Sequence, residues 1–180
     1  MARITKKISK RTLALRAKLW PDLKEEDLWN RSVYDGFTTI PRTMPIIMNI
    51  IDDLADGKRT SFTYLALWGR AFDEMYVSLQ NADELAFHSG FTGQRAVRTW
   101  RERMKALEQL GFIRVAPGTS GDLSHAVILN PHFAIRRLYE AKTSGLTASA
   151  FNALVERGLA ISADDMEVTL PEDRVEEETP

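Results

Sequence analysis

Residues 81–130 have the sequence NADELAFHSGFTGQRAVRTWRERMKALEQLGFIRVAPGTSGDLSHAVILN, which predicts a short helix, a tight turn, a long basic helix and a β-hairpin. Asn81 is a favoured N-cap residue with an acid at capping-box spacing, which predicts that a short helix begins here. Gly90 supplies the positive φ of a sharp turn that ends this helix. Thr92 is then expected to cap a second, longer helix that ends at Gly111.

The longer helix combines an apolar stripe with a basic face. Apolar residues recur at spacings of three and four, as in a helix with one buried side: Val97, Trp100, Met104, Leu107 and Leu110. The other side carries amide and cationic side chains, the types that hydrogen-bond base edges and phosphates. They are Gln94, Arg95, Arg98, Arg101 and Lys105.

Two β-prone runs follow the helix. Residues 112–115 (FIRV) and 126–129 (AVIL) are separated by PGTSGDLSH, a turn-rich connection that is expected to be flexible. Two such runs predict a β-hairpin.

This order of elements resembles the winged-helix superfamily of DNA-binding proteins. The resemblance covers about the middle half of the chain and is carried by AVRTWRERMKALEQLGFIRVAPG, residues 96–118. Leu107, Leu110, Gly111 and Phe112 match the superfamily's junction between its recognition helix and its first wing strand. The implied fold is mainly α with a small β-hairpin: a winged helix-turn-helix core with additional N- and C-terminal helices.

The resemblance also implies a DNA-binding surface, with the first turns of the second helix on bases in the major groove. Bidentate geometry suits Arg to guanine and Gln to adenine. Base readout is assigned to Thr92, Gln94, Arg95 and Arg98. Phosphate contact is assigned to Arg101, Arg103, Lys105, Arg114, Lys6, Lys7, Lys10 and Arg11. At the implied wing tip, residues 118–122, Asp122 would be repelled by phosphate.

Composition sets broad limits. At 180 residues the chain can form one substantial core with extensions at both ends. Hydrophobic residues at 44% and charged residues at 27% are ordinary globular values. The absence of Cys excludes a disulfide framework and thiolate metal sites. No apolar run reaches the length of a membrane span, and the basic N-terminus lacks the apolar stretch of a signal peptide, so we expect a soluble cytoplasmic protein. The resemblance to DNA-binding proteins implies that it is associated with a bacterial nucleoid or plasmid.

The net charge of -1 conceals an uneven charge distribution. Residues 1–20 hold seven Lys and Arg and no acid, whereas residues 164–180 hold eight acids and one Arg. The acidic end predicts a disordered tail. The simplest role for this tail is to increase solubility. A more specific hypothesis is that it competes with DNA for the basic face of the longer helix.

Four parts are expected along the chain. They are a basic N-terminal helical extension (1–41), a winged-helix domain (42–142), a C-terminal helix (143–162) and an acidic disordered tail (163–180). Residues 4–20 predict an amphipathic helix. It is open to four interpretations: an arm on DNA, a dimer contact, a frayed solvated terminus, or a membrane-surface helix, the last being the least favoured.

Two more helices are expected between residues 21 and 60. One spans Asp22 to Arg31, and an Ile-rich one runs from Ile46 towards Gly57. Asp52 and Asp53 on the Ile-rich helix are interpreted as a solvated face rather than an acid and base pair, since no third acid or His stands at useful spacing.

Three more helices are expected after residue 60. A long one, capped by Thr60 or Ser61 and extending to Leu79, has an apolar sector so wide that it should support the centre of the domain. Asn130-Pro131 and Thr147 are start signals for two others.

No arrangement of residues indicates catalysis. A P-loop, a dinucleotide fingerprint, a nucleophile elbow and a metal-ligand cluster are all missing from the sequence, so no enzyme activity, cofactor or metal is expected. Trp68 and Phe72 are interpreted as core rather than as a cofactor pocket. His125 and His132 could approach each other at a strand end, but without a carboxylate at ligand spacing they are a weak metal signal.

The sequence therefore favours a sequence-specific double-stranded DNA-binding protein, a transcriptional regulator of a bacterial or mobile-element system. One alternative is a plasmid replication or partition factor. Another is a winged-helix protein-interaction module whose arginines meet an acidic partner. Gln94 favours DNA, because a purely electrostatic docking face has little need of an amide there. A homodimer is expected from the extra apolar helices at both ends and from paired half-sites.

Overall fold

A computed structural model describes residues 9–173, which form a mainly α-helical chain with a small antiparallel sheet. This confirms the coarse fold class expected from the sequence. The chain divides into two compact units, Met1–Phe37 and Thr38–Pro180. None of the helices within the described range is long and apolar enough to cross a membrane. The elements are α1 (Lys10–Leu19), α2 (Met44–Leu54), α3 (Ser61–Trp68), β1 (Tyr76–Ser78), α4 (Ala82–His88), α5 (Ala96–Gln109), β2 (Ile113–Gly118), β3 (Gly121–Ile128), α6 (Pro131–Glu140) and α7 (Ala148–Ala160).

In the first unit, α1 begins after Ser9, whose Oγ accepts a hydrogen bond from the Thr12 N–H at 3.1 Å. The helix predicted over Asp22–Arg31 is wrong, since only a single 3₁₀ turn forms there, at Glu25–Asp27. A short helix needs an apolar face packed against something, and within residues 9–37 no side chain is buried. The large side chain of Trp29 is 61% exposed.

The core of the second unit lies between α2, α3, α4, α5 and one face of the sheet. Helix α3 packs against α2, α4 and α5, which confirms the expected central support helix. Tyr64 of α3 is fully buried and meets Phe112 edge-on, with ring centroids 5.6 Å apart. Burial raises the pKa of the Tyr64 phenol, so its hydroxyl remains neutral.

The support helix is shorter than predicted. It ends at Trp68 instead of reaching Leu79, and Tyr76–Ser78 forms a strand instead. Val77 and Leu79 are buried while Tyr76 is exposed, an alternation that suits a strand and not a helix. Phe72, which was assigned to the core, is 82% exposed in the connecting loop.

The sheet has the order β1-β3-β2, and both strand pairs are antiparallel. Strands β2 and β3 extend into the connection that was expected to be flexible, leaving a tight turn at residues 119–120. Ser124 fixes this turn, because its Oγ accepts from the Ser120 N–H at 3.2 Å and donates to the Gly121 carbonyl at 2.7 Å. Asp122 is exposed near the tip.

Asp52 was predicted to be solvated, but it caps another helix. Its Oδ1 accepts from the backbone N–H groups of Thr60 and Ser61, at 2.7 and 2.8 Å. Its Oδ2 accepts from the Ser61 hydroxyl at 2.8 Å. A carboxylate on α2 therefore satisfies the open N-terminus of α3, and Thr60 makes no side-chain cap.

The last two helices begin where the sequence predicts. Asn130 Oδ1 accepts from the His132 N–H at 2.9 Å, and Pro131 occupies the first turn of α6. Thr147 Oγ1 accepts from the Ala150 N–H at 3.1 Å at the start of α7. Helix α7 packs on α2 and α6, so it belongs to the same unit as the core.

The described part of the acidic tail, up to residue 173, has one buried side chain and hydrogen bonds to α6. Leu170 is 2% exposed, and Arg136 donates to the carbonyl of Val168. Arg137 donates to both carboxylate oxygens of Glu172, at 2.5 and 2.6 Å. One buried leucine and two arginines of α6 thus hold the segment, and residues 174–180 lie outside the described part.

We predict that Asp52→Ala lowers the free energy of unfolding by about 1–2 kcal/mol, because it leaves the α3 N-terminus uncapped. Urea unfolding followed by circular dichroism measures the change. The matched control is Asp53→Ala, which removes the neighbouring exposed carboxylate and should change the free energy by less than about 0.5 kcal/mol. Equal losses in the two variants would contradict the capping role.

Docking of the tail segment through Glu172 is expected to depend on pH. The hydrogen bond from Arg137 lowers the pKa of Glu172 from 4.5 to about 2. A carboxyl whose pKa is lowered on docking stabilises the docked state above its ordinary pKa, and this stabilisation is lost as pH falls through the lowered value. The Leu170 methyl resonances should therefore keep their docked positions at neutral pH and shift as pH falls below 4.5 towards about 2. Glu172→Gln should shift them already at pH 7, whereas the control Glu167→Gln should not. An unchanged spectrum in Glu172→Gln would refute the anchoring role of this residue.

Candidate nucleic-acid interface

Helix α4 and the turn after it hold α5 in place. Asn81 Oδ1 accepts from the Glu84 N–H at 3.2 Å, and its Nδ2 donates to Glu84 Oε2 at the same distance. The helix ends at His88, and Gly90 has φ +83°. The cap and the turn predicted for this short helix are both confirmed.

The start of α5 differs from the sequence prediction. Thr92 does not cap it, because Gly93 at φ +80° forms a tight turn whose carbonyl accepts from the Ala96 N–H at 3.0 Å. This turn delays the helix to Ala96 and leaves the Thr92 hydroxyl outside its first turn. Gln94 and Arg95 are exposed and immediately precede the helix instead of occupying its first turn.

The N-terminus of α5 is open. Arg95 is its N-cap residue and makes no side-chain cap, although the Ala96 N–H already donates to the Gly93 carbonyl. The first N–H groups of a helix carry a partial positive charge and lack partners within the helix. An anionic oxygen placed here would meet the N–H groups that follow Ala96 and the neighbouring side chains of Gln94 and Arg95.

The two predicted faces of α5 are both present. Trp100, Met104 and Leu107 are fully buried, with Val97 and Leu110 half-buried at the edges. This confirms the apolar stripe. Four cations are exposed on the rest of the helix and its N-cap: Arg95, Arg98, Arg101 and Lys105.

An acid also lies on this surface, and the sequence reasoning missed it. Glu102 Oε1 accepts from Arg98 Nε at 3.3 Å, and both side chains are largely exposed. The i,i+4 spacing of Arg98 and Glu102 was the available signal. An exposed pair of this kind contributes less than about 1 kcal/mol, so Arg98 can exchange it for a stronger acceptor.

Arg103 points away from the exposed cations. It is half-buried, and its Cζ lies 6.0 Å from the centroid of the Phe91 ring. Its Nε is enclosed without a hydrogen-bond partner in the described part of the chain. This position favours a packing role against the turn over the phosphate contact assigned from the sequence.

The remaining assigned cations are dispersed. Arg114 is exposed on β2, outside α5. Lys10 and Arg11 are exposed in the first turn of α1, which belongs to the other unit. Lys6 and Lys7 lie outside the described residues.

The two histidines considered for a metal are held by different partners. His132 is buried, and its Nε2 lies 2.9 Å from the Thr43 hydroxyl. Burial lowers the pKa of His132, and Asp165 opposes this shift. His125 Nδ1 lies 2.8 Å from the Tyr76 hydroxyl. Within residues 9–173 no three His, Asp or Glu side chains come together as metal ligands.

Comparisons of the chain with protein-family models, with curated proteins and with solved structures found no match. What the α5 surface can do chemically therefore follows from its own groups. It offers guanidinium, ammonium, amide and open backbone N–H donors to an acceptor-rich, anionic partner.

Proposed function

We propose that this protein binds double-stranded DNA in a sequence-specific manner through a winged helix-turn-helix, with α5 as the recognition helix. The order α3-β1-α4-α5-β2-β3 and the strand order β1-β3-β2 support this fold. In this interpretation α4 and α5 are the helix-turn-helix and the β2–β3 hairpin is the wing.

The observation that carries the proposal is the division of α5 into two faces. One face of α5 is buried through Trp100, Met104 and Leu107. The opposite face therefore points outward and carries Arg98, Arg101 and Lys105. The major groove of DNA admits an α-helix, and the base edges there present hydrogen-bond acceptors that these donors match.

The N-terminal end of α5 supplies the groups for base readout. Gln94 and Arg95 are exposed at the start of α5 and Arg98 is exposed in its first turn, so amide and guanidinium groups would enter the groove together. Arg pairs with guanine O6 and N7, and Gln pairs with adenine N6 and N7. A surface that attracts acidic proteins by charge alone would not require this amide.

Arg101 and Lys105, farther along α5, would contact phosphates and fix the position of the helix without selecting a sequence. The basic N-terminal arm would add contacts of the same kind. With about five phosphates engaged, the slope of log K against log salt should be near -4.5.

The corresponding cellular role is regulation of transcription in a bacterial or mobile-element system. Plasmid replication or partition would use the same surface. Selection of bound duplexes from a random library, followed by locating the selected site, distinguishes them: a site overlapping a promoter supports regulation, and a repeated site at a replication origin supports replication.

We predict that Arg98→Ala weakens binding to the selected duplex by about 1–3 kcal/mol and relaxes the preference at one base pair. Glu102→Gln removes a carboxylate that faces phosphate, so it should strengthen binding to every duplex. Fluorescence anisotropy at fixed salt measures both effects.

The matched control is Arg157→Ala, which removes an exposed arginine from α7 and should leave affinity unchanged. An equal loss for Arg98→Ala on every duplex would make Arg98 a phosphate contact. Wild-type affinity in both α5 variants would remove α5 from the interface.

A further inference from the structure

The outward face of the three-stranded sheet is a second surface with recognisable chemistry. Strand register places two rows of three residues across β1, β3 and β2. The first row is Tyr76, Val127 and Arg114, and the second is Ser78, His125 and Ala116. Alternate positions such as Val77 and Ala126 face the core, so both rows face outward. Neither row contains an acid.

Tyr76 and His125 form a connected pair of rings on this face. The Tyr76 hydroxyl lies 2.8 Å from His125 Nδ1, and the two planes are inclined by 27° with centroids 6.0 Å apart. Because the hydrogen bond joins an edge of one ring to an edge of the other, the nearly parallel rings present a continuous aromatic surface. Tyr76 is 48% exposed and His125 is half-buried, so the Tyr76 ring is the more accessible part of this surface.

The backbone of the hairpin fixes the histidine of this pair. A Cβ at Gly118 would lie 2.6 Å from His125 Nε2, so the glycine allows β2 to pass directly beside the ring. His125 is therefore held between the Tyr76 hydroxyl and the Gly118 backbone. A ring surface that is already ordered loses little conformational entropy when a ligand stacks on it.

A cation lies in the row that contains Tyr76. Arg114 is exposed and has no hydrogen-bond or ion-pair partner among the described residues, and Val127 separates it from Tyr76 across the strands. One flat aromatic surface and one uncommitted positive charge thus lie two strands apart on the same face.

We propose that this sheet face binds single-stranded nucleic acid. An unpaired base would stack on the ring pair of Tyr76 and His125, and a neighbouring phosphate would meet Arg114. Aromatic stacking accepts every base, and a nearby cation follows the backbone. A base inside a duplex is already stacked on both sides, so the ligand must be unpaired. The proposal uses no residue of α5 and does not depend on duplex binding.

Two probes of the same length and charge test it by fluorescence anisotropy. One is an oligothymidylate of about 12 nucleotides, and the other is an abasic strand. The wild-type protein should bind the oligothymidylate more tightly. Tyr76→Leu should weaken oligothymidylate binding about tenfold, because one stacking contact is lost, and should leave abasic binding unchanged.

Tyr76→Phe is the matched control, since it keeps the ring and removes only the hydroxyl. It should retain more oligothymidylate affinity than Tyr76→Leu. Equal losses in both variants would overturn the stacking role. So would equal wild-type affinity for the two probes, which would indicate attraction by charge alone.

Photocross-linking of a 5-iodouridine oligonucleotide to the wild-type protein locates the site without relying on a variant that folds. A cross-link at Tyr76 or His125 is expected, and a cross-link confined to other residues would overturn the proposal. Arg98→Ala separates the two surfaces, because it should weaken duplex binding and leave oligothymidylate binding intact.

Discussion

Burial of Trp100, Met104 and Leu107 is the interaction on which the rest of the second unit depends. These side chains fix the rotation of α5 against α3, α4 and β2. Met104 and Leu107 each stabilise the fold by about 1.5–3 kcal/mol relative to an exposed side chain. Turning the helix would expose them and bury unpaired cations, which costs several kcal/mol more. The direction of the basic face is therefore a consequence of the core.

The helix starts and the two faces of α5 could be predicted from the sequence, because the residues that determine them are close together in the chain. Asn81, Asn130 and Thr147 each cap a helix through an N–H two or three residues away, so sequence spacing alone is sufficient. The apolar stripe of α5 likewise depends only on helical period. The exposed cations of the candidate interface follow from that stripe, since they occupy the positions that remain.

What the sequence did not indicate depends on distant partners. Tyr76 meets His125 across a separation of 49 residues, and Arg137 meets Glu172 across 35. Strand β1 was not predicted, because its apolar residues also fit a helical spacing. A strand of three residues is stable only through its pairing with β3. Arg103 is a cation of the expected type, but its contact with Phe91 across the turn takes it off the exposed face. Whether a cationic side chain packs or is exposed depends on its tertiary neighbours, which the sequence spacing does not show.

An NMR titration of the ¹⁵N-labelled protein with a short random-sequence duplex tests directly whether α5 forms the DNA interface. Backbone amide shifts are expected to change first and most at residues 92–105, in the turn and the outward face of α5. Saturable changes confined to α6 and α7, with residues 92–105 unaffected, would contradict this role of α5.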